Sequence, residues 1–401
     1  MLTIAGYKAE RFPDWVGHCS YNNMTSVSLV FCKNCCMLPS LGQLPSFKSL
    51  RIEGFLQLKR IGDEFYKSDS NHHSLPTPFP SLENLVFNNM PCWEEWHVPD
   101  PKSFPQLKKL RIGNCPMLNG IFRRRVSSLL DVSKVGKLEF PQQRYDLVDL
   151  IIYICDSLTS LWLDIFPNFK DLQIRDCGNL ESVSISEPPH ATLQRLIISG
   201  CSKLVSFGGE GLAAPNLTHL QVTYCDKLEA LPRDMKSLLT SLQSLKIYGC
   251  PNICRLPKGG LPPNLKSLVV GIGEQQTRDL SWMANLHALT HLEIYGEYCD
   301  NIKSYPEVGS LPHLPSLTTL EILHFRKLET LECNELLRLT SLQQLHIYRC
   351  PKLENMEGEK LPPSLLLLEV FHCHLLEKHC KNKHQLIWHK ISHIPSVKFF
   401  E

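Results

Sequence analysis

A solenoid of parallel β-strands is the fold this sequence predicts, on three observations. The pattern L-x-x-L-x-I-x-x-C-x-x-L recurs about every 24 residues, clearly at Leu193-Leu196-Ile198-Cys201-Leu204, Leu217-Leu220-Val222-Cys225-Leu228, Leu242-Leu245-Ile247-Cys250-Ile253 and Leu342-Leu345-Ile347-Cys350-Leu353. Its L-x-I core alternates apolar and free positions, as a strand buried on one side does. The segments between carry Leu38-Pro39, Leu231-Pro232, Leu256-Pro257, Pro262-Pro263 and Pro362-Pro363. Proline lacks the N–H a central strand needs, so it suits an irregular return. Together these define an α/β leucine-rich repeat solenoid, a horseshoe with a parallel concave β-sheet and a mostly irregular or short-helix convex side. One repeat is too small to enclose its own apolar side, so only stacking makes a core.

The first Leu of each copy falls at Met24, Phe47, Leu82, Leu107, Leu147, Phe169, Leu193, Leu217, Leu242, Leu265, Leu289, Leu317, Leu342 and Leu365. The expected organisation is a single domain over 1–401, of about 14–15 repeats, with a C-terminal cap over 374–401. Two spacings are long and predict irregular insert loops at 66–80 and 119–146. The second leaves room for a degenerate repeat around Leu129 to Leu138. Leu2-Thr3-Ile4-Ala5-Gly6-Tyr7 already follows the strand frame with its first Leu missing. Solenoids need polar caps, so the expectation is a C-terminal piece of a longer protein or a truncated product.

Lys+Arg 42 against Asp+Glu 40 gives a net charge of +2, which makes no electrostatic case for nucleic acid or an anionic membrane. The basic run Arg123-Arg124-Arg125 is short and reads as a solvated loop. The N-terminus lacks signal-peptide character, and the sequence has no apolar run of spanning length. The sequons Asn23-Met24-Thr25 and Asn216-Leu217-Thr218 place their middle residue at a core position and read as chance matches.

Of 17 cysteines, ten share one slot of the repeat frame: Cys32, Cys115, Cys155, Cys177, Cys201, Cys225, Cys250, Cys350, Cys373 and, after a two-residue insertion, Cys299. Here the chain leaves the strand and backbone groups need a buried partner, a role suited to a small thiol with a weak donor. The reading is a structural column in a reducing compartment. Disulfides between stacked cysteines are the alternative, since strand spacing falls within bridging range. Cys32-x-x-Cys35-Cys36 resembles half a zinc site but has no second pair. The tail His372-Cys373-His374, His379-Cys380, His384, His389 and His393 fits no finger spacing. No metal ligand and no cofactor is assigned. P-loop, H-E-x-x-H and G-x-S-x-G motifs are all missing from the sequence, and the prediction is no enzyme.

Residues beside the buried Leu and Ile form columns on the predicted concave face. The column after the Ile reads Tyr153, Arg175, Ser199, Thr223, Tyr248, Gly271, Tyr295, Leu323, Tyr348, Phe371. Tyr and Arg contribute large contact area at low entropy cost, so Tyr153, Arg175, Thr223, Tyr248, Tyr295, Tyr348 and Phe371 are the candidate protein-binding residues. The competing reading is that aromatics simply suit a strand surface and stack on one another.

Several stretches resemble the repeat region of plant coiled-coil, nucleotide-binding, leucine-rich-repeat (CC-NB-LRR, NLR) disease-resistance proteins of the R13L1/DRL type. They are Phe12-Pro13-x-Trp15-Val16-Gly17; Cys32-Lys33-Asn34-Cys35 followed by Leu38-Pro39-Ser40-Leu41-Gly42-Gln43-Leu44-Pro45; Ile61-Gly62-Asp63-Glu64-Phe65-Tyr66; Phe79-Pro80-Ser81-Leu82-Glu83-x-Leu85, running on to Met90-x-x-Trp93-Glu94-Glu95-Trp96; and Trp388-His389-Lys390-Ile391-Ser392-His393-Ile394-Pro395. The resemblance implies recognition of a pathogen effector or a guarded host protein, and restraint of a nucleotide-binding module in cis or trans. It also implies a cytoplasmic setting, with the nucleus as an alternative; the L-x-G-x-I-P signature of extracellular cousins is not seen. ADP or ATP is expected only in the nucleotide-binding module, whose P-loop these residues lack. The alternatives are a general repeat scaffold, such as a ubiquitin-ligase substrate adaptor, and a truncated non-signalling fragment.

Overall fold

The computed structural model describes residues 1–18, 20–67, 77–99, 102–121, 126–140, 144–185, 189–208, 211–253, 260–273, 280–298, 301–381 and 385–400. Cys299, His384, Arg123 to Arg125, Leu256-Pro257 and most of the 66–80 insert lie outside them. The chain falls into two compact units, Met1–Leu180 and Glu181–Glu401. Each is a parallel β-solenoid with little helix.

In the first unit the main sheet runs through Leu2–Ala5, Ser26–Val30, Ser49–Glu53, Asn84–Asn88, Lys109–Ile121, Leu129–Glu139, Asp149–Tyr153 and Asp171–Arg175, each strand parallel to the next. In the second it runs through Arg195–Ser199, His219–Thr223, Ser244–Tyr248, Ser267–Gly273, His291–Tyr298, Thr319–Leu323, Gln344–Tyr348, Leu367–Phe371 and Ser396–Phe400. Register pairs like with like: Leu196 with Leu220 and Leu245, Ile198 with Val222 and Ile247. These side chains are buried as continuous ribs. Burying each is worth roughly 1.5–3 kcal/mol.

The segment expected as an irregular insert at 119–146 is largely strand. Leu129–Glu139 pairs with Lys109–Ile121 before it and Asp149–Tyr153 after it. It hides in the sequence because Val135 stands in the cysteine slot and Ser127 where the first Leu belongs. At the edges of the 66–80 insert, Phe65, Tyr66 and Phe79 pack into an aromatic cluster with Phe104, and Trp96 Nε1 donates to Tyr66 Oη at 2.9 Å. The opposite side of the turns carries short parallel pairings, such as Ser304–Tyr305, Thr330–Glu332 and Asn355–Glu357.

In residues 374–401 the helices His374–Lys381 and Gln385–Ile391 precede the strand Ser396–Phe400, which pairs with Leu367–Phe371. Lys390 is buried, and its ammonium donates to the Met356 and Gly358 carbonyls at 2.7 Å each.

In most turns one residue bends left-handed just before the cysteine slot. In the first unit these are Gly6, Phe31, Gly54, Asn89, Asn114, Lys134, Ile154 and Asp176; in the second they are Gly200, Tyr224, Gly249, His324, Arg349 and His372. The bend lets each amide donate one rung further to the neighbouring turn: Phe31 to the Glu53 carbonyl at 2.7 Å, Ile154 to Arg175 at 2.9 Å, His324 to Tyr348 at 2.9 Å. Such backbone is unfavourable for a β-branched or bulky residue, and the extra rungs offset it.

Replacing Leu220 by Ala should lower the unfolding free energy by about 2–5 kcal/mol, read as a shifted denaturant midpoint. A loss below about 0.5 kcal/mol, the range of surface changes, would mean that the ribs do not interlock.

Candidate recognition face

The residue after each Ile stands on the outward face of the main sheet. In the first unit Tyr153 (38% exposed) and the exposed Arg175 are in register on neighbouring strands. Arg175 Nη2 donates to Gln173 Oε1 at 3.3 Å. In the second unit Thr223 differs from expectation. It is buried, its hydroxyl donates to Ser199 Oγ at 2.9 Å, and it has no surface to offer a partner.

Tyr248 and Tyr295 stack at 4.5 Å with planes 7° apart, although the strand Ser267–Gly273 lies between theirs. The intervening column residue is Gly271. A Cβ there would sit 3.1 Å from Tyr248 Cα, a tight contact that glycine avoids while the two rings close over the strand. Tyr224 adds an edge contact to Tyr248 at 5.3 Å, and His324 stacks on Tyr295 at 5.6 Å. Leu323, nearly buried, interrupts the column. Beyond it Tyr348, Phe371 and Phe400 stack at 4.5 and 4.3 Å. Phe400 was missed by the sequence reading because its strand has no L-x-x-L frame; the alternation Ser396-Val397-Lys398-Phe399-Phe400 is the signal that could have found it. The aromatic residues therefore both stack on one another and retain partly exposed edges.

Beside this ladder runs a charged column in register: Lys246, Val269, Glu293, Glu321, His346, Glu369, Lys398. The Glu369 carboxylate lies 3.2 Å from His346 and 3.1 Å from Lys398. His291 Nε2 is 3.0 Å from Glu293 and 3.6 Å from Glu321. Burial, followed by the neighbouring Glu293 charge, raises the Glu321 carboxyl above its ordinary range. The hydrogen bond to Glu293, supported by Glu321, holds the His291 imidazolium above its usual 6.5. These three side chains present ligand atoms within 4.8 Å of one another, the set among the described residues able to hold a metal. The Lys246 charge acts on both His291 and Glu321 and opposes a cation there.

The column cysteines lie under the sheet edge. Cys32, Cys115, Cys155, Cys177, Cys201, Cys225, Cys250, Cys350 and Cys373 are buried free thiols. Each donates to the carbonyl two residues back, as Cys115 does to Gly113 at 3.2 Å and Cys373 to Phe371 at 3.3 Å. Several also face the preceding turn, as Cys250 does Val222 at 3.7 Å. Burial pushes Cys115 up to about 12 and Cys155 to about 11. Cys225 is raised by its hydrogen bond to Cys250 and by burial. In the half zinc motif, Cys32, Cys35 and Cys36 donate to the separate carbonyls of Val30, Ala9 and Glu10. In the tail His379 faces the Glu354 carbonyl and His393 that of Pro362, while Cys380 is buried. None of these joins a metal-ligating group among the described residues.

The family model for R13L1/DRL21 leucine-rich repeats matches residues 1–55. The disease resistance RPP13-like protein 1 of Arabidopsis thaliana is 34% identical over 264 residues, 61% of this chain and 23% of that protein. The chain is a leucine-rich repeat solenoid whose sequence is similar, over part of its length, to plant disease-resistance proteins. A second Arabidopsis thaliana disease resistance protein is 40% identical to this repeat region over 132 residues, 32% of the chain and 9% of the relative. The repeat region thus spans about a quarter or less of the length of these relatives. Among solved structures, the LRIM1/APL1C complex covers 100% of the repeat region and 69% of its own chain at 16% identity and a TM-score of 0.42. Among the described residues no helix is long and apolar enough to cross a membrane.

The His291 cluster gives a pH signature. Its raised pKa means that its contribution to stability is fully present below about 6.5 and is lost as pH rises through the folded value. NMR titration should place the His291 midpoint above 6.5, and Glu293→Gln should lower it. An identical midpoint in the variant would contradict the assigned hydrogen bond.

Proposed function

We propose that the outward face of the second unit is a protein-recognition surface of a plant immune receptor. The observation that carries this reading is the pair of aromatic stacks, Tyr248 with Tyr295 and Tyr348 with Phe371 and Phe400, held at fixed spacing on rigid strands. Rings already ordered by stacking lose little further freedom when a partner covers them, and this is what makes aromatic residues effective anchors. The charged column alongside supplies polar contacts that select among partners. Tyr153 and Arg175 form a separate, smaller patch in the first unit.

The ligand class is a protein: a pathogen effector, or a host protein that an effector modifies. This reading rests on the likeness to disease-resistance proteins. The setting is the cytoplasm. The chemistry is binding and not catalysis, and a nucleotide-binding module joined to the repeats or acting in trans is the element whose state the ligand changes. Such control requires that the ligand-bound repeats favour the active state over the resting one.

The test compares the chain with its Tyr248→Ala/Tyr295→Ala variant in capture from infected plant tissue, with partners identified by mass spectrometry. A pathogen or host protein retained by the original chain and depleted about tenfold or more from the variant is expected, the loss typical of a lost anchor pair. Equal retention would refute the aromatic face as the recognition surface.

A further inference from the structure

Three consecutive turns of the second unit place five basic residues and one proline at the same two positions. The left-handed residue after the strand is His324, Arg349 and His372 in turn. Two residues further on stand Arg326, Pro351 and His374. These six line one open groove of about 420 Å³. Its chemistry is two guanidinium groups and three imidazoles, and none of the six side chains is acidic.

The repeat geometry forces this convergence. Successive amides of the left-handed residues donate to Tyr348, Phe371 and Phe400, at 2.9, 2.9 and 3.1 Å, so the three bends sit in one line. His324 is further fixed by its stack on Tyr295. Several other exposed arginines meet carboxylates: Arg51 with Glu53, Arg111 with Asp131, Arg338 with Glu335. Among the described residues neither Arg326 nor Arg349 has such a partner. Two guanidinium groups and three imidazoles lining one concavity set up a local positive field.

We propose that this groove binds a small soluble polyanion carrying two or more phosphoryl groups. Arginine forks match phosphoryl oxygens in bidentate pairs. A phosphoryl group offers three oxygens to donors arriving from different turns, where a carboxylate offers two. Three strands set ~4.8 Å apart spread the donors over roughly 10 Å, too far for one phosphate to engage them all. The proposal goes beyond the recognition of a protein ligand and uses none of the side chains assigned to it.

Calorimetric titration of the 401-residue chain with sodium tripolyphosphate tests this. Saturable single-site binding is expected, weakened about tenfold or more in Arg326→Gln and in Arg349→Gln, as for the loss of a charge-assisted hydrogen bond. Arg349→Lys, which keeps charge but loses the fork, should fall between. Arg111→Gln should bind as the original chain does. Tripolyphosphate should raise the melting temperature of the original chain and not of the two glutamine variants, a check that does not depend on calorimetric heats. Orthophosphate should bind more weakly. Absent saturation, or equal loss in Arg111→Gln, would overturn the site. Tighter binding to oligoglutamate, or to vesicles containing phosphatidic acid, would overturn the assignment to a soluble phosphoryl ligand. Failure of the tyrosine variants in the capture experiment would leave this result untouched.

Discussion

Most strands of the main sheets are about five residues long, and the backbone groups on their two edges can be satisfied only by the strands before and after them. That mutual dependence organises everything else in the two units. It demands parallel pairing, because the chain returns to the same side after each turn, and it demands register, because a one-residue slip would turn Leu196, Leu220 and Leu245 outward together. The difficult point is the strand end, where the backbone must leave without orphaning an amide. The protein meets it with two coupled devices. A left-handed residue extends the ladder by one rung, and the buried thiol beneath supplies a weak donor to the carbonyl two residues back. A cysteine fits because the slot is buried and too dry for a charged side chain, and where Phe55, Met90 and Phe325 take it the position stays apolar and buried.

The same constraint shapes the outward face. Since register is fixed, a residue on one strand determines what its neighbours can do two strands away. Gly271 is the clearest case: by offering no side chain it lets Tyr248 meet Tyr295. Leu323 does the opposite, dividing the aromatic residues into two stacks and leaving Tyr295 to His324. Glu293 and Glu321 are placed side by side by register alone, and their mutual repulsion is met by His291 and not by separation. Recognition surfaces of this kind arise without special loops, from the choice of side chain at positions the core leaves free.

How much of this was legible in the sequence depended on whether one residue carried the information. The buried ribs were legible because each L-x-x-L-x-I copy states its own phase. The turn at Leu129–Glu139 was not, because Ser127 and Val135 replace the two marker residues while the period-2 alternation persists. The strand Ser396–Phe400 was missed for the same reason. The candidate face was half legible: Tyr248, Tyr295, Tyr348 and Phe371 stand on the outward face, yet the burial of Thr223 depends on Ser199 and on neighbours in other turns. The left-handed column was unreadable by composition, since glycine, asparagine and aspartate share it with Phe31, Ile154 and Tyr224, which ordinarily avoid that backbone.

The central claim, that neighbouring turns seal one another's apolar side, is most directly tested at the thiols. Native protein is pulsed with an alkylating agent and mapped by mass spectrometry, with the exposed Cys36 as internal reference. A buried thiol reacts slowly because it is inaccessible, and at Cys115 and Cys155 also because burial raises the pKa and leaves little thiolate. The account predicts rapid labelling of Cys36 and almost none of Cys115, Cys155, Cys201, Cys225 and Cys250 until denaturant is added. Labelling of Cys201, Cys225 and Cys250 in native protein at the rate of Cys36 would contradict it.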